Sequence, residues 1–122
     1  MLQIGSNLRL ADNSGAKGLL IIAIPGEGKK KYASLGDIIS VVVKGAIPTS
    51  GMEDGSRVRA VIVRTAKEVR RKDGSYIRFD DNAAVIINAN KEPVGTRVLG
   101  PIAREVKDRG YNKVASLAKE VW

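Results

Sequence analysis

Cysteine and histidine are both absent from the 122 residues. Without cysteine there are no disulfides, no thiol nucleophile and no thiolate metal site. Without histidine the chain lacks the side chain that titrates nearest neutrality, and a zinc site would have to be built from carboxylates. Aromatic residues are scarce, at 4%. The longest apolar run, Leu19 to Ile24, is far short of a membrane span, which needs about 20 residues. Met1-Leu2-Gln3-Ile4 shows no basic n-region or signal-like apolar region, so the expected place is the cytosol, or an organelle interior after processing. No membrane partner and no cofactor are expected.

Base is plentiful. Lys and Arg number 21 against 13 acids, for a net charge of +8. Such an excess points to a polyanionic partner, first of all nucleic acid. Hydrophobic residues at 43% exclude a disordered basic tail, and the length suits one domain, residues 1–122.

Short β-type segments alternate with glycine-bearing turns. Leu8-Arg9-Leu10 alternates as a short strand does, and Leu19 to Ile24, Asp37 to Lys44, Arg57 to Arg64 and Ala83 to Ile87 carry β-branched residues, which favour pleated backbone. Val69 to Lys72 and Tyr76 to Asp80 flank Asp73-Gly74, a hairpin signal. The period changes after Pro101. Ile102 and Val106 share a helical face, Pro101 suits a first helical position and Gly110 a C-terminal cap, and a second short helix fits Lys113 to Ala118. These features predict an all-β fold: a small closed barrel of about five strands, a protruding β-hairpin and two short C-terminal helices, with 101–122 as a helical extension.

Charge is unevenly placed. Residues 57–78 hold eight basic groups (Arg57, Arg59, Arg64, Lys67, Arg70, Arg71, Lys72 and Arg78) against Glu68 and Asp73. A basic strand and hairpin can lie along a phosphate backbone, and arginine adds bidentate geometry. A solvated charged hairpin would need none of this. Tyr76 and Phe79 sit on the returning strand and either stack on an unpaired base or pack inward; for Phe79 the core is the better reading. A second basic patch is Lys29-Lys30-Lys31, suited to phosphate contact or simply a solvated loop. Asp12-Asn13-Ser14-Gly15 forms a turn that either serves the backbone alone or presents Asn13 and Ser14 to RNA. Catalysis has little support. The serines lack a histidine base, and Asp80 and Asp81, if on a strand, would point to opposite faces.

In order along the chain, Ala11-Asp12-Asn13-Ser14-Gly15-Ala16, Arg57 through Thr65, Asp73-Gly74, Tyr76, Asn82, Val85-Ile86, Gly95-Thr96-Arg97, Gly100-Pro101 and Ser116-Leu117-Ala118 resemble the universal large-subunit ribosomal protein family conventionally numbered fourteen, in its bacterial or organellar form. The resemblance covers essentially the whole length. It implies a structural, non-enzymatic constituent of the large subunit that binds its rRNA and joins an intersubunit bridge to small-subunit rRNA. It implies the large-subunit protein numbered nineteen as a neighbour. It also implies a docking surface for the ribosomal silencing factor at Thr96, Arg97, Lys113 and Ser116. The alternative is a free basic RNA chaperone or translation factor on a similar barrel. Lys72 stands where such proteins usually carry proline before the Asp-Gly turn, which should loosen it. Lys119 likewise replaces a common proline, so the second helix is expected to run on.

Overall fold

Four branched apolar runs and one alternating segment become the staves of a closed barrel in a computed structural model that describes residues 2–25, 32–47 and 53–122. The barrel strands are β1 (Asn7–Leu10), β2 (Gly18–Ala23), β3 (Ile38–Lys44), β4 (Arg57–Arg64) and β7 (Ala83–Ile87). Neighbours pair antiparallel except at the closure, where β1 runs parallel to β7 with Arg9 opposite Ala83. Closure leaves no free edge on these strands. Bulges between Ile21 and Ala23 and between Ile62 and Arg64 bend two of the staves.

Alternation decides what fills the interior. Leu8, Leu19, Ile21, Ile39, Val41, Val43, Ala60, Ile62, Ala84 and Ile86 form one buried cluster. On β4 and β7 the intervening residues are buried as well: Val61, Val63, Ala83, Val85 and Ile87 meet Val98, Ile102, Val106, Tyr111 and Val114 in a second cluster. Two helices, α1 (Arg104–Asp108) and α2 (Asn112–Leu117), cover that outer face. Burial on both faces explains why β4 and β7 read as nearly continuous apolar runs. Each fully buried Val or Ile contributes about 1.5–3 kcal/mol.

The short strands β5 (Val69–Arg70) and β6 (Tyr76–Ile77) pair as a separate two-stranded sheet. Its base is anchored in the barrel core by Val69, Ile77 and Phe79. The connection is a three-residue loop, since the Arg71 N–H bonds the Ser75 carbonyl at 2.8 Å. Gly74 supplies φ +87°, which only glycine adopts without strain.

The C-terminal segment departs from expectation at both ends of its helices. Pro101 lies outside α1, whose N-cap is Ala103. Gly110 ends the helix as expected, at φ +96°. The second helix does not run on: Ala118 is extended at φ −85°, ψ 139°. The following residues turn back to pair with the segment before α1, with Val121 bridged in parallel to Ile102 and the Trp122 N–H bonded to the Ile102 carbonyl at 2.8 Å. This tertiary pairing needs extended backbone, which stops the helix where local preference would not.

Candidate nucleic-acid interface

Six of the eight cations in 57–78 are exposed: Arg57, Arg59, Lys67, Arg70, Lys72 and Arg78. Arg57 and Arg59 alternate with half-buried Val58 on β4, so both point outward. Arg70 and Lys72 flank the hairpin loop, whose tip Asp73 orders: its carboxylate accepts from the Ser75 N–H at 3.0 Å and hydroxyl at 2.6 Å. Those two bonds, and then Arg104 and Arg71 nearby, hold Asp73 below the usual aspartate range.

Arg64 and Arg71 are occupied within the protein. Arg64 is 8% exposed. Its guanidinium donates to the Leu99 carbonyl at 2.7 Å and pairs with Asp81 at 2.9 Å. Arg71 pairs with Glu105 at 2.9 Å and reaches the Trp122 main-chain oxygen. These two arginines join the barrel and hairpin to the C-terminal segment. Nothing in their sequence context separates them from Arg59 or Arg70, because the separating contacts are all long-range.

Asp80 and Asp81 lie beyond β6 in irregular backbone, not on a strand. Asp81 serves Arg64 and, at 3.7 Å, Arg9. Tyr76 is 65% exposed, so its ring faces solvent at the hairpin. Phe79 is buried and stacks on Trp122 with centroids 6.1 Å apart. Sequence reasoning missed both Trp122 and Arg9 as possible contributors. Trp122 was visible only as the sequence's one tryptophan, and Arg9 only as the charged residue of an alternating Leu8-Arg9-Leu10 segment. Lys29, Lys30 and Lys31 fall outside the described residues.

The turn after β1 has a largely internal role. Asp12 is buried and accepts from the Ser14 N–H at 2.9 Å, the Ser14 hydroxyl at 2.5 Å and the Ile86 N–H at 3.1 Å. Burial raises its pKa, against the lowering effect of those bonds. Asn13 spans to the loop 83 residues away: its amide nitrogen donates to the Thr96 hydroxyl at 2.8 Å. Its oxygen accepts from the Thr96 and Arg97 N–H groups at 2.9 and 3.0 Å. Asn13, Thr96 and Arg97 therefore form one exposed cluster. Lys113 lies on α2 and pairs with Glu92 at 2.6 Å, tying the preceding loop to the helix, while the Ser116 hydroxyl bonds back to the Lys113 carbonyl.

Among the described residues, exposed cations are gathered on one barrel strand and around the neighbouring hairpin. The model of the family described as ribosomal protein L14p/L23e matches residues 1–122. The chain belongs to the ribosomal protein L14p/L23e family. It is 58% identical over 122 residues, all of both chains, to "Large ribosomal subunit protein uL14" of Petrotoga mobilis. It is 59% identical over 121 residues, 99% of each chain, to the protein of that name in Aquifex aeolicus.

Proposed function

We propose that this protein is a structural constituent of the large ribosomal subunit that binds large-subunit rRNA through Arg57, Arg59, Lys67, Arg70, Lys72 and Arg78. The observation that carries this reading is the set of exposed cations on β4, on the β5–β6 hairpin and in the segments that flank the hairpin, in a chain of this family. Arg57 and Arg59 on β4 and Arg70 on β5 have their backbone fixed by strand pairing, so only side-chain ordering opposes phosphate contact there. Lys29, Lys30 and Lys31 extend the basic surface, and Ser14 and Asn13 stand at a second contact. Arg64 and Arg71 support this surface from within. No enzymatic step belongs to the reading. The resemblance further supports a bridge to small-subunit rRNA and a neighbour in the protein numbered nineteen.

The second surface, Thr96 and Arg97 with Lys113 and Ser116, is proposed to receive the ribosomal silencing factor. Its four side chains lie on a loop and a helix fixed to each other through Glu92 and Lys113. A wash of large subunits in high salt tests subunit membership. Stoichiometric retention is expected, whereas a free chaperone or translation factor would be released.

A further inference from the structure

We infer that the cleft between Arg9, Arg78 and the C-terminal Trp122 holds one unpaired guanine nucleotide of RNA, an inference that rests on the rRNA-binding reading above. The cleft measures about 740 Å³, within the range of small-ligand sites. Phe79 is buried and Trp122 lies on it at an interplanar angle of 23°. Trp122 as a residue is nonetheless 53% exposed. Its Nε1 donates to Glu120 at 3.0 Å, and its main chain is fixed to Ile102. A preset aromatic ring with apolar surface left in water is a stacking platform for a base.

The charges around that platform define what it accepts. Arg9 has a side chain 76% exposed and only a 3.7 Å contact with Asp81. Arg78 is exposed and makes no ion pair among the described residues. Both guanidiniums are available to a phosphate. Asp80 lines the same cleft, exposed and without a hydrogen-bond partner among the described residues. A carboxylate repels phosphate and only accepts hydrogen bonds. It therefore suits a base edge rich in donors. Guanine alone presents two adjacent donors, N1–H and N2–H, to both oxygens of one carboxylate. Adenine and cytosine set a lone pair beside their amino group, and uracil flanks its single N–H with carbonyls. A protein partner is the less favoured occupant, since the cleft is lined by three arginines and two aspartates.

Trp122 is the sequence's one tryptophan, so its fluorescence reports directly on the cleft. GMP, AMP, CMP, UMP and ribose 5-phosphate are titrated into the intact protein, beside an rRNA fragment in the same buffer. GMP should quench saturably, with an affinity roughly tenfold above the other nucleotides, and ribose 5-phosphate should not quench. Asp80→Asn should bring GMP to within about twofold of AMP, and Arg78→Ala should weaken all four nucleotides. Equal quenching by all four, or none, overturns the inference. If the rRNA fragment still binds, only the cleft assignment fails; if it does not bind, the wider reading fails too. In assembled large subunits, an ultraviolet crosslink from Trp122 to a guanine supports the site. A crosslink to a protein chain overturns it and gives the cleft to that chain.

Discussion

Arg64 and Gly100 share one space: a Cβ on Gly100 would lie 2.3 Å from Arg64 Nη1. Gly100 also has φ +80°, disfavoured for any residue with a side chain. The guanidinium can reach the Leu99 and Pro101 carbonyls only because nothing projects between them. Gly100→Ala should therefore destabilise the fold by about 2 kcal/mol or more. A fall in Tm of at least about 5 °C is expected; an unchanged Tm would show that Arg64 is not held there.

Arg70 is exposed, whereas its neighbour Arg71 is held within the protein. Arg71 is tied to Glu105 across a contact only 14% and 25% exposed. Its replacement by alanine should cost about 1–3 kcal/mol, since Glu105 is left half-buried without its partner. Arg70→Ala should change stability by less than about 0.5 kcal/mol. Urea unfolding of the two variants checks the contrast, and equal losses would contradict it.

Lys72 occupies the first loop position after Arg71, where proline's fixed φ suits a turn. Its N–H makes no hydrogen bond among the described residues. Lys72→Pro should stabilise by about 0.4–1 kcal/mol through a less flexible unfolded chain. A loss measured by thermal unfolding would mean the loop needs another backbone angle.

Asp12 has its folded pKa raised, mainly by burial. An acid held protonated more firmly when folded contributes stability that is complete below its unfolded pKa and is lost as pH rises through the folded one. Relative to Asp12→Asn, the protein should therefore lose stability with rising pH from the ordinary aspartate range upward. Carboxyl NMR titration should place Asp12 above the exposed Asp73, whose pKa is lowered. The reverse order would contradict this account.

The barrel was legible because four staves carry β-branched residues between turn formers and the first alternates as Leu8-Arg9-Leu10, and the hairpin because Asp73-Gly74 interrupts two extended runs. The limits of α1 and α2 were not. Pro101 is held outside α1 while its carbonyl receives Arg64, and Ala118 is extended where the tail returns to Ile102. Both outcomes depend on partners distant in sequence. The concentration of base in residues 57–78 was legible, but not which of those arginines the fold occupies. Arg64 and Arg71 differ from Arg59 and Arg70 only by what the fold brings to them. Asn13 showed its turn propensity, yet its bonds to Thr96 and Arg97 depend on a loop 83 and 84 residues away.

The central claim is that exposed cations of the hairpin bind RNA phosphates. A salt titration of rRNA-fragment binding tests it, comparing the protein with its Arg70→Ala, Lys72→Ala double variant. Each phosphate contact contributes roughly 0.7–0.9 to the slope of log affinity against log salt. Loss of two contacts should flatten the slope by somewhat under two units while Tm stays unchanged. An identical slope and affinity would contradict the account and move the main RNA surface away from this hairpin.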